Sequence, residues 1–230
     1  WCLIDVDIPR LSSNGINFGD RCFYYTYSLQ SSSTHSLISS SFDATGLANY
    51  INFGILEPAP TSTIVKNRTE LDSVPLNVED LWIGRFDASD IYEFSLSKYQ
   101  SLKNLVIGNE TLWSVTKFEL NNLTSLKMLY IGNNCFGNVR EFELDGLDEL
   151  ESVMIGQQSF RIDTKERNDG SYRTVNCPKL KSIQIGDTSF YDYHSFELNN
   201  LPSLQSIDIG DWCFSYAPSF SLTGLIDGLV

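Results

Sequence analysis

Two stretches of the chain, FELNNLTSLKMLYIGNNCFGNVRE at residues 118–141 and FELNNLPSLQSIDIGDWCFSYAPS at residues 196–219, are copies of one unit. Each copy contains an apolar stretch that ends in Ile-Gly. The same glycine recurs through the chain at Gly19, Gly54, Gly84, Gly108, Gly132, Gly156, Gly186 and Gly210. From Gly84 onward the spacings are 24, 24, 24, 30 and 24 residues, and a fixed period of this length is the signature of a repeat array.

Apolar residues recur at fixed offsets from this glycine. Leucine lies six before it, an aliphatic residue three before and isoleucine one before; phenylalanine follows at four and ten, and leucine at twelve. The offsets before the glycine predict one short strand per unit, and those at ten and twelve predict a second. Neither strand would be stable alone, but stacked copies would extend both into parallel sheets around a shared core.

We therefore predict a mostly β repeat solenoid with parallel sheets on two faces and little helix. Five segments should form one parallel sheet in sequence order: residues 105–107, 129–131, 153–155, 183–185 and 207–209. Asn-Asn, Asp-Gly or Thr-Gly pairs after the second strand predict left-handed turns. Residues 1–230 are predicted to be one array of about eight units, irregular over 1–77 and regular over 78–225, with an insertion at 161–171.

The pattern Leu201-x-x-Leu204-x-x-Ile207-x-Ile209 resembles the leucine-rich repeat family. The continuation Ile-x-Ile-Gly-x-x-Cys-Phe is similar to the BspA-like variant found in bacterial and protist surface proteins. The resemblance implies an extracellular or cell-surface scaffold that binds protein or glycan on its first sheet. One feature departs from the family, because the column of the usual asparagine ladder holds Glu110, Asn134, Gln158, Thr188 and Trp212. Backbone groups at that turn must therefore find other partners.

Composition restricts the classes of function. The net charge of −13 would repel nucleic acid and anionic membranes, so neither is an expected partner. No stretch reaches the roughly 20 apolar residues of a membrane span, and direct membrane insertion is not expected. The chain has two histidines and none of the common catalytic or nucleotide-binding motifs, so we predict no enzyme activity, cofactor or metal.

The five cysteines show no metal-ligand spacing. Cys22, Cys135 and Cys213 lie three after the glycine, where other units have serine or threonine, and Cys177 replaces a core leucine. This pattern favours buried structural thiols. A bond between Cys2 and Cys22 is the one pairing that the spacing leaves open.

The column two before the glycine should point outward from the first sheet. It forms a predicted concave ligand-binding strip of Trp82, Val106, Tyr130, Met154, Gln184 and Asp208. The adjacent glycines would let a ligand backbone come close. The alternative is that the protein's own insertions cover the strip.

Two carboxylates, Glu119 and Glu143, should also lie about 5 Å apart in adjacent units. They could form a cation site or a general-acid pair. An exposed column balanced by Lys117 and Arg140 is the favoured interpretation.

Three sequons offer possible N-glycosylation at Asn67, Asn109 and Asn122. The last unit breaks off after Leu225, so we expect a fragment of a longer protein or an assembly end formed by Phe220, Leu222 and Leu225 and left against solvent. The leading hypothesis is a recognition scaffold. The alternatives are a building block that self-associates head to tail into a filament through its terminal repeats and, third, an enzyme.

Overall fold

The computed structural model describes residues 62–86, 88–162 and 169–224 together with the backbone of two short N-terminal strands. It is a parallel β-solenoid of about six turns, nearly all sheet and with almost no helix. The predicted fold class is therefore confirmed.

The strands lie at β1 Asp5–Val6, β2 Ile16–Phe18, β3 Thr63–Val65, β4 Asp80–Ile83, β5 Glu93–Ser95, β6 Asn104–Ile107, β7 Lys117–Glu119, β8 Met128–Ile131, β9 Glu141–Asp145, β10 Ser152–Ile155, β11 Gly170–Val175, β12 Ser182–Ile185, β13 Tyr193–Asn199, β14 Ser206–Ile209 and β15 Ser219–Thr223. The described helix, α1, spans Arg68–Asp72 and is capped by the Asn67 side chain, which accepts a hydrogen bond from the backbone N–H of Glu70.

The first sheet has eight strands in the order β2-β14-β12-β10-β8-β6-β4-β3, and every pair in it is parallel. The five strands predicted from the repeat are all present in sequence order, each one residue longer at its start. The second face is divided into a five-stranded sheet, β1-β15-β13-β11-β9, and a two-stranded sheet, β5-β7. The repeat pattern gave no indication of this division.

Two columns of aromatic rings fill the space between the faces. Successive rings of Phe136, Phe160, Phe190 and Phe214 are separated by 5.1, 4.7 and 5.2 Å between centroids. The second column comes from the strands of the second face and includes Phe142. In β11, Tyr172 occupies the phenylalanine position of this column, and its ring centroid lies 5.5 Å from that of Phe142. Of the predicted insertion, the last two residues, Gly170 and Ser171, belong to this strand, and residues 163–168 lie outside the described part.

At Gly132, Gly156, Gly186 and Gly210 the recurring glycine is needed because consecutive turns of the solenoid touch there. A Cβ on Gly132 would lie 2.7 Å from the backbone nitrogen of Asn109, and one on Gly210 would lie 2.6 Å from that of Asp187. Both distances are too short for any side chain, so only glycine permits this spacing. These glycines therefore allow the close contact between repeats.

The turns after β6, β8, β10, β12 and β14 are unusual because non-glycine residues adopt positive φ at two and four after the glycine. The column expected to lack a ladder, Glu110 to Trp212, has φ between 55° and 62° throughout. Its N–H groups donate to carbonyls of the next repeat, as from Glu110 to Asn133 at 2.8 Å. The positive φ predicted for the turns after the second strand is confirmed at Asn122, Gly146, Asn200 and Gly224.

An Asx ladder does exist, displaced by one position from the family pattern. The Asn109 side-chain oxygen accepts a hydrogen bond from the backbone N–H of Asn133 at 2.8 Å, and Asn133 accepts one from Gln157 at 2.7 Å. Asp187 accepts the equivalent bond from Asp211 at 2.9 Å. The backbone groups that seemed to lose their partners are satisfied by the neighbouring column.

A second ladder is buried three residues after the glycine. The Ser159 hydroxyl donates to the Gly132 carbonyl at 2.7 Å and accepts a hydrogen bond from the Cys135 N–H at 3.1 Å. Thiols occupy the same position: Cys135 donates to the Gly108 carbonyl at 3.1 Å and Cys213 to that of Gly186 at 3.1 Å. These cysteines are buried structural thiols, as predicted, and they also act as hydrogen-bond donors between repeats.

The two ends of the chain meet. Strand β2 pairs with β14, aligning Ile16 with Ile207, and β1 pairs with β15, aligning Val6 with Leu222. Phe220 and Leu222 are buried, so the expectation that their layer faces solvent is wrong. The reason is non-local, because the chain's own N-terminal strand lies beside β15. Leu225, the third residue of the expected assembly end, is outside the described residues.

The buried ladder yields a stability prediction. Ser159→Ala leaves the Gly132 carbonyl and the Cys135 N–H without their partner, and we expect a loss of about 1–3 kcal/mol in the free energy of unfolding in urea. Ser159→Cys should lose less, because cysteine already occupies this position in two other repeats. The exposed Ser101→Ala should change stability by less than about 0.5 kcal/mol. No loss in Ser159→Ala would show that the hydrogen bonds contribute nothing to stability, and equal losses for Ala and Cys would show that a thiol cannot replace this hydroxyl.

Candidate binding surface on the first sheet

The six residues predicted to form the strip lie in one line across the first sheet. The strand register places Trp82 beside Val106, Val106 beside Tyr130, and Tyr130 beside Met154, with Gln184 and Asp208 continuing the line. Strand β3 adds Ile64, in register with Trp82. The sequence pattern missed Ile64 because its strand is followed by Lys66 in place of the recurring glycine.

The members of the strip differ in exposure. Ile64 is 42% exposed, whereas Val106 and Tyr130 are each only 5% exposed. Trp82, Met154, Gln184 and Asp208 are half-buried. Desolvation raises the pKa of the Tyr130 hydroxyl to about 12, so this phenol is protonated throughout the physiological range.

The outer face of the first sheet carries little charge. From β4 to β14 its outward positions form two columns, the strip and the column two residues before it, which are Asp80, Asn104, Met128, Ser152, Ser182 and Ser206. The two columns contain two carboxylates, Asp80 and Asp208 at opposite ends, and neither lysine nor arginine. This is notable in a chain of net charge −13.

The outer face of the second sheets is charged instead. Arg173 forms an ion pair with Glu143, contacts Asp145 at 3.5 Å and pairs with Glu197 at 3.1 Å. The hydrogen bond with Glu143 is the main cause that raises the pKa of Arg173 above its ordinary value. The two outer faces therefore differ sharply in chemistry.

The two carboxylates considered in the sequence analysis have separate cationic partners. Lys117 pairs with Glu119 at 2.7 Å, as expected. Arg140 was also expected to balance this column, but it pairs with Asp169, and Glu143 is neutralised by Arg173. Glu143 pairs with Arg173 and not with Arg140 because the long Arg173 side chain lies on the strand paired with that of Glu143.

Within the described residues, no group of three or more His, Cys, Asp or Glu side chains could hold a metal ion. His194 is exposed on β13, and His35 lies outside the described part, as do Cys2 and Cys22. Burial raises the pKa of the Cys135 thiol to about 12 and that of Cys177 to about 11. Neither thiol is therefore an activated nucleophile at neutral pH.

The three sequons differ in their surroundings. Asn67 caps α1, and its amide nitrogen donates to Glu70 at 2.9 Å. The Asn109 side chain belongs to the Asx ladder, and Thr111 of its sequon is buried. Asn122 is exposed in a left-handed turn, and its Thr124 is exposed as well.

No protein-family model, no curated protein and no solved structure matches this chain. Of the helices described, none has the length and apolar character needed to cross a membrane.

The thiol environment leads to a prediction of reactivity. In the native protein at pH 7.5, we expect iodoacetamide to leave Cys135, Cys177 and Cys213 unmodified, because all three are buried. In denaturant the same three should react completely. Peptide mass spectrometry measures both states, and rapid labelling of Cys135 in the native protein would contradict the buried ladder.

Proposed function

We propose that this protein is a non-enzymatic recognition scaffold of the extracellular space or cell surface, built from leucine-rich repeats of the BspA-like type. The repeat register and the Ile-x-Ile-Gly-x-x-Cys-Phe turn support the family assignment. The solenoid presents side chains from successive strands in fixed columns, which suits the recognition of a large partner.

The observation that carries the proposal is the uncharged outer face of the first sheet. Interface cores are depleted in charged residues and enriched in Trp and Met, and the half-buried Trp82 and Met154 lie in the strip. In a chain of net charge −13, a face with carboxylates only at its ends supports burial against a partner. The partner class is protein or glycan, and nucleic acid is disfavoured by repulsion.

A charge substitution tests this surface. Met154→Lys introduces a cation in the middle of the strip, and burying an unpaired charge in an interface is costly. The matched control, Ser95→Lys, adds the same charge on the outer face of β5, where Ser95 is exposed. The probes are purified extracellular proteins and glycans on an array, followed by surface plasmon resonance for each hit.

We expect at least one protein or glycan to bind the unaltered chain. Met154→Lys should weaken binding by about tenfold or more, and Ser95→Lys by less than about twofold. Circular dichroism confirms that both variants are folded. If nothing on the array binds, or if both variants bind like the unaltered chain, the strip is not the recognition surface.

A second candidate function, head-to-tail assembly, is favoured by the pairing between the chain ends. Strand β2 continues the register of the first sheet beside β14, and β1 continues that of the second sheet beside β15. The two ends are therefore complementary in backbone register. If β1 and β2 of one copy paired with β15 and β14 of another, the same contacts would join successive copies into an open chain.

A disulfide between the ends separates the two arrangements. Asn17 and Asp208 are in register, and backbones of neighbouring strands lie about 5 Å apart, a separation that a disulfide can span. In Asn17→Cys/Asp208→Cys, oxidation should give an internally linked monomer when dilute and a ladder of covalent oligomers when concentrated. Each single substitution serves as control on a non-reducing gel. A product that stays monomeric at every concentration would rule out assembly.

A further inference from the structure

A cleft lies between the turns of two adjacent repeats, away from the strip. It has a volume of about 480 Å³ and is lined by Arg85, Phe86, Ser89, Glu110, Trp113 and Ser114, among others. This volume falls in the range of about 300–1,000 Å³ typical of small-ligand sites.

Trp113 forms one wall of the cleft, and the next repeat holds its ring in place. A Cβ on Gly137 would lie 2.3, 2.4 and 2.5 Å from three atoms of the six-membered ring, so the ring covers that glycine closely. The Asn138 amide nitrogen also donates to the Trp113 carbonyl at 3.0 Å. Even so, Trp113 is 41% exposed. The indole is thus both fixed in position and accessible to a ligand.

Charged groups lie at the same cleft. The Arg85 guanidinium pairs with the Glu110 carboxylate at 2.7 Å, and both side chains are well exposed. An exposed pair of this kind contributes little to stability, about 0–1 kcal/mol. It does supply a donor and an acceptor side by side, and the serine hydroxyls at the cleft are further polar groups.

We propose that this cleft binds a neutral saccharide, with a pyranose ring stacked on Trp113 and its hydroxyls bonded to Arg85 and Glu110. A pyranose has one face of C–H groups, whose positive edges are attracted to the negative face of an indole. Its adjacent hydroxyls each donate and accept, which matches a guanidinium paired with a carboxylate. Glu110 and the net charge of −13 disfavour an anionic ligand.

The inference rests on the proposed recognition function, for which it names a glycan as one ligand class, but it uses a site separate from the strip. The offset of Trp113 within its repeat explains how the cleft arises. At the same offset, five after the recurring glycine, the preceding repeat has Ser89 and the following repeat has Gly137. The small Ser89 leaves space on one side of the indole, and Gly137 lets the ring lie flat on the other.

The test uses the full chain made in a bacterial host, so that Asn109 beside the cleft carries no glycan. The probes are lactose, cellobiose, N,N′-diacetylchitobiose and methyl α-mannoside, titrated into protein labelled with ¹⁵N. The indole N–H signal of Trp113, assigned with Trp113→Phe, reports the site in the unaltered chain. In the Trp113 variants, which lack that signal, the backbone amide signals of Glu110 and Ser114 report it. We expect at least one sugar to shift this signal, with a dissociation constant on the order of 1 mM for a shallow single-ring site.

Variants separate stacking from polar contact. Trp113→Ala should abolish binding of that sugar, Trp113→Phe should retain part of it, and Glu110→Gln should weaken it by about tenfold, because a charge-assisted hydrogen bond is lost. Trp82→Ala, on the strip, should leave sugar binding unchanged. The urea midpoints of all variants verify folding. If Trp113→Phe and Trp82→Ala lost sugar binding as completely as Trp113→Ala, stacking on the Trp113 ring would not be the cause.

The proposal fails if none of the four sugars shifts the Trp113 signal, or if the sugar binds Trp113→Ala as well as it binds the unaltered chain. Those results leave the strip untouched, because array ligands that depend on Met154 would still bind. Conversely, a sugar that binds at Trp113 when no array ligand depends on Met154 would establish the cleft and reject the strip. If no sugar bound but array proteins did, and if Trp113→Ala lost that protein binding, the cleft would be a protein-binding site and the saccharide proposal would be wrong.

Discussion

The close approach of consecutive turns at the recurring glycine is the constraint on which the rest of the structure depends. At Gly156 and Gly186 a Cβ would lie 2.7 Å from backbone carbon or nitrogen of the preceding repeat. This contact brings the next three residues of each turn within hydrogen-bonding distance of the adjacent repeat. The Asx ladder, the backbone bonds of the positive-φ column and the buried hydroxyl–thiol ladder all follow from it.

These ladders explain why the turn tolerates a backbone conformation that its residues do not favour. Phe136, Phe160, Phe190 and Phe214 all have positive φ, a conformation that costs a bulky residue of order 1–3 kcal/mol. In return, their rings stack in the core, and the N–H of Phe160 donates to the Cys135 carbonyl at 2.8 Å. Contacts between repeats offset the free energy of this strained conformation, so an isolated unit would lack the compensation.

The part of the fold that repeats was predictable from the sequence. The columns before the glycine specify the first sheet, because each strand meets the same neighbours in every turn. The positions of the predicted strip followed from the same register. Departures from the repeat were not predictable. Strand β3 lacks the glycine, and the pairing of β1 and β2 with the far end joins residues about 190 to 220 positions apart in the chain.

The ladder and the cleft were missed for a different reason. A shift of the Asx column by one position depends on the φ values of the turn, and Thr188 and Trp212 give no local signal for positive φ. The cleft depends on three residues in three repeats, Ser89, Trp113 and Gly137, whose offsets agree but whose side chains do not. The sequence pattern was drawn from residues that are the same in every repeat, so it could not indicate a site formed by residues that differ between repeats.

The architecture separates the inward columns, which stabilise the fold, from the outward positions. Inward columns hold the same kinds of residue in every turn, because each layer must match the one before it. Outward positions are free of that requirement, and they diverge into an uncharged face on the first sheet, a charged face around Arg173 and an aromatic wall at Trp113. These surfaces differ in chemistry although the same inward columns stabilise the fold beneath all of them.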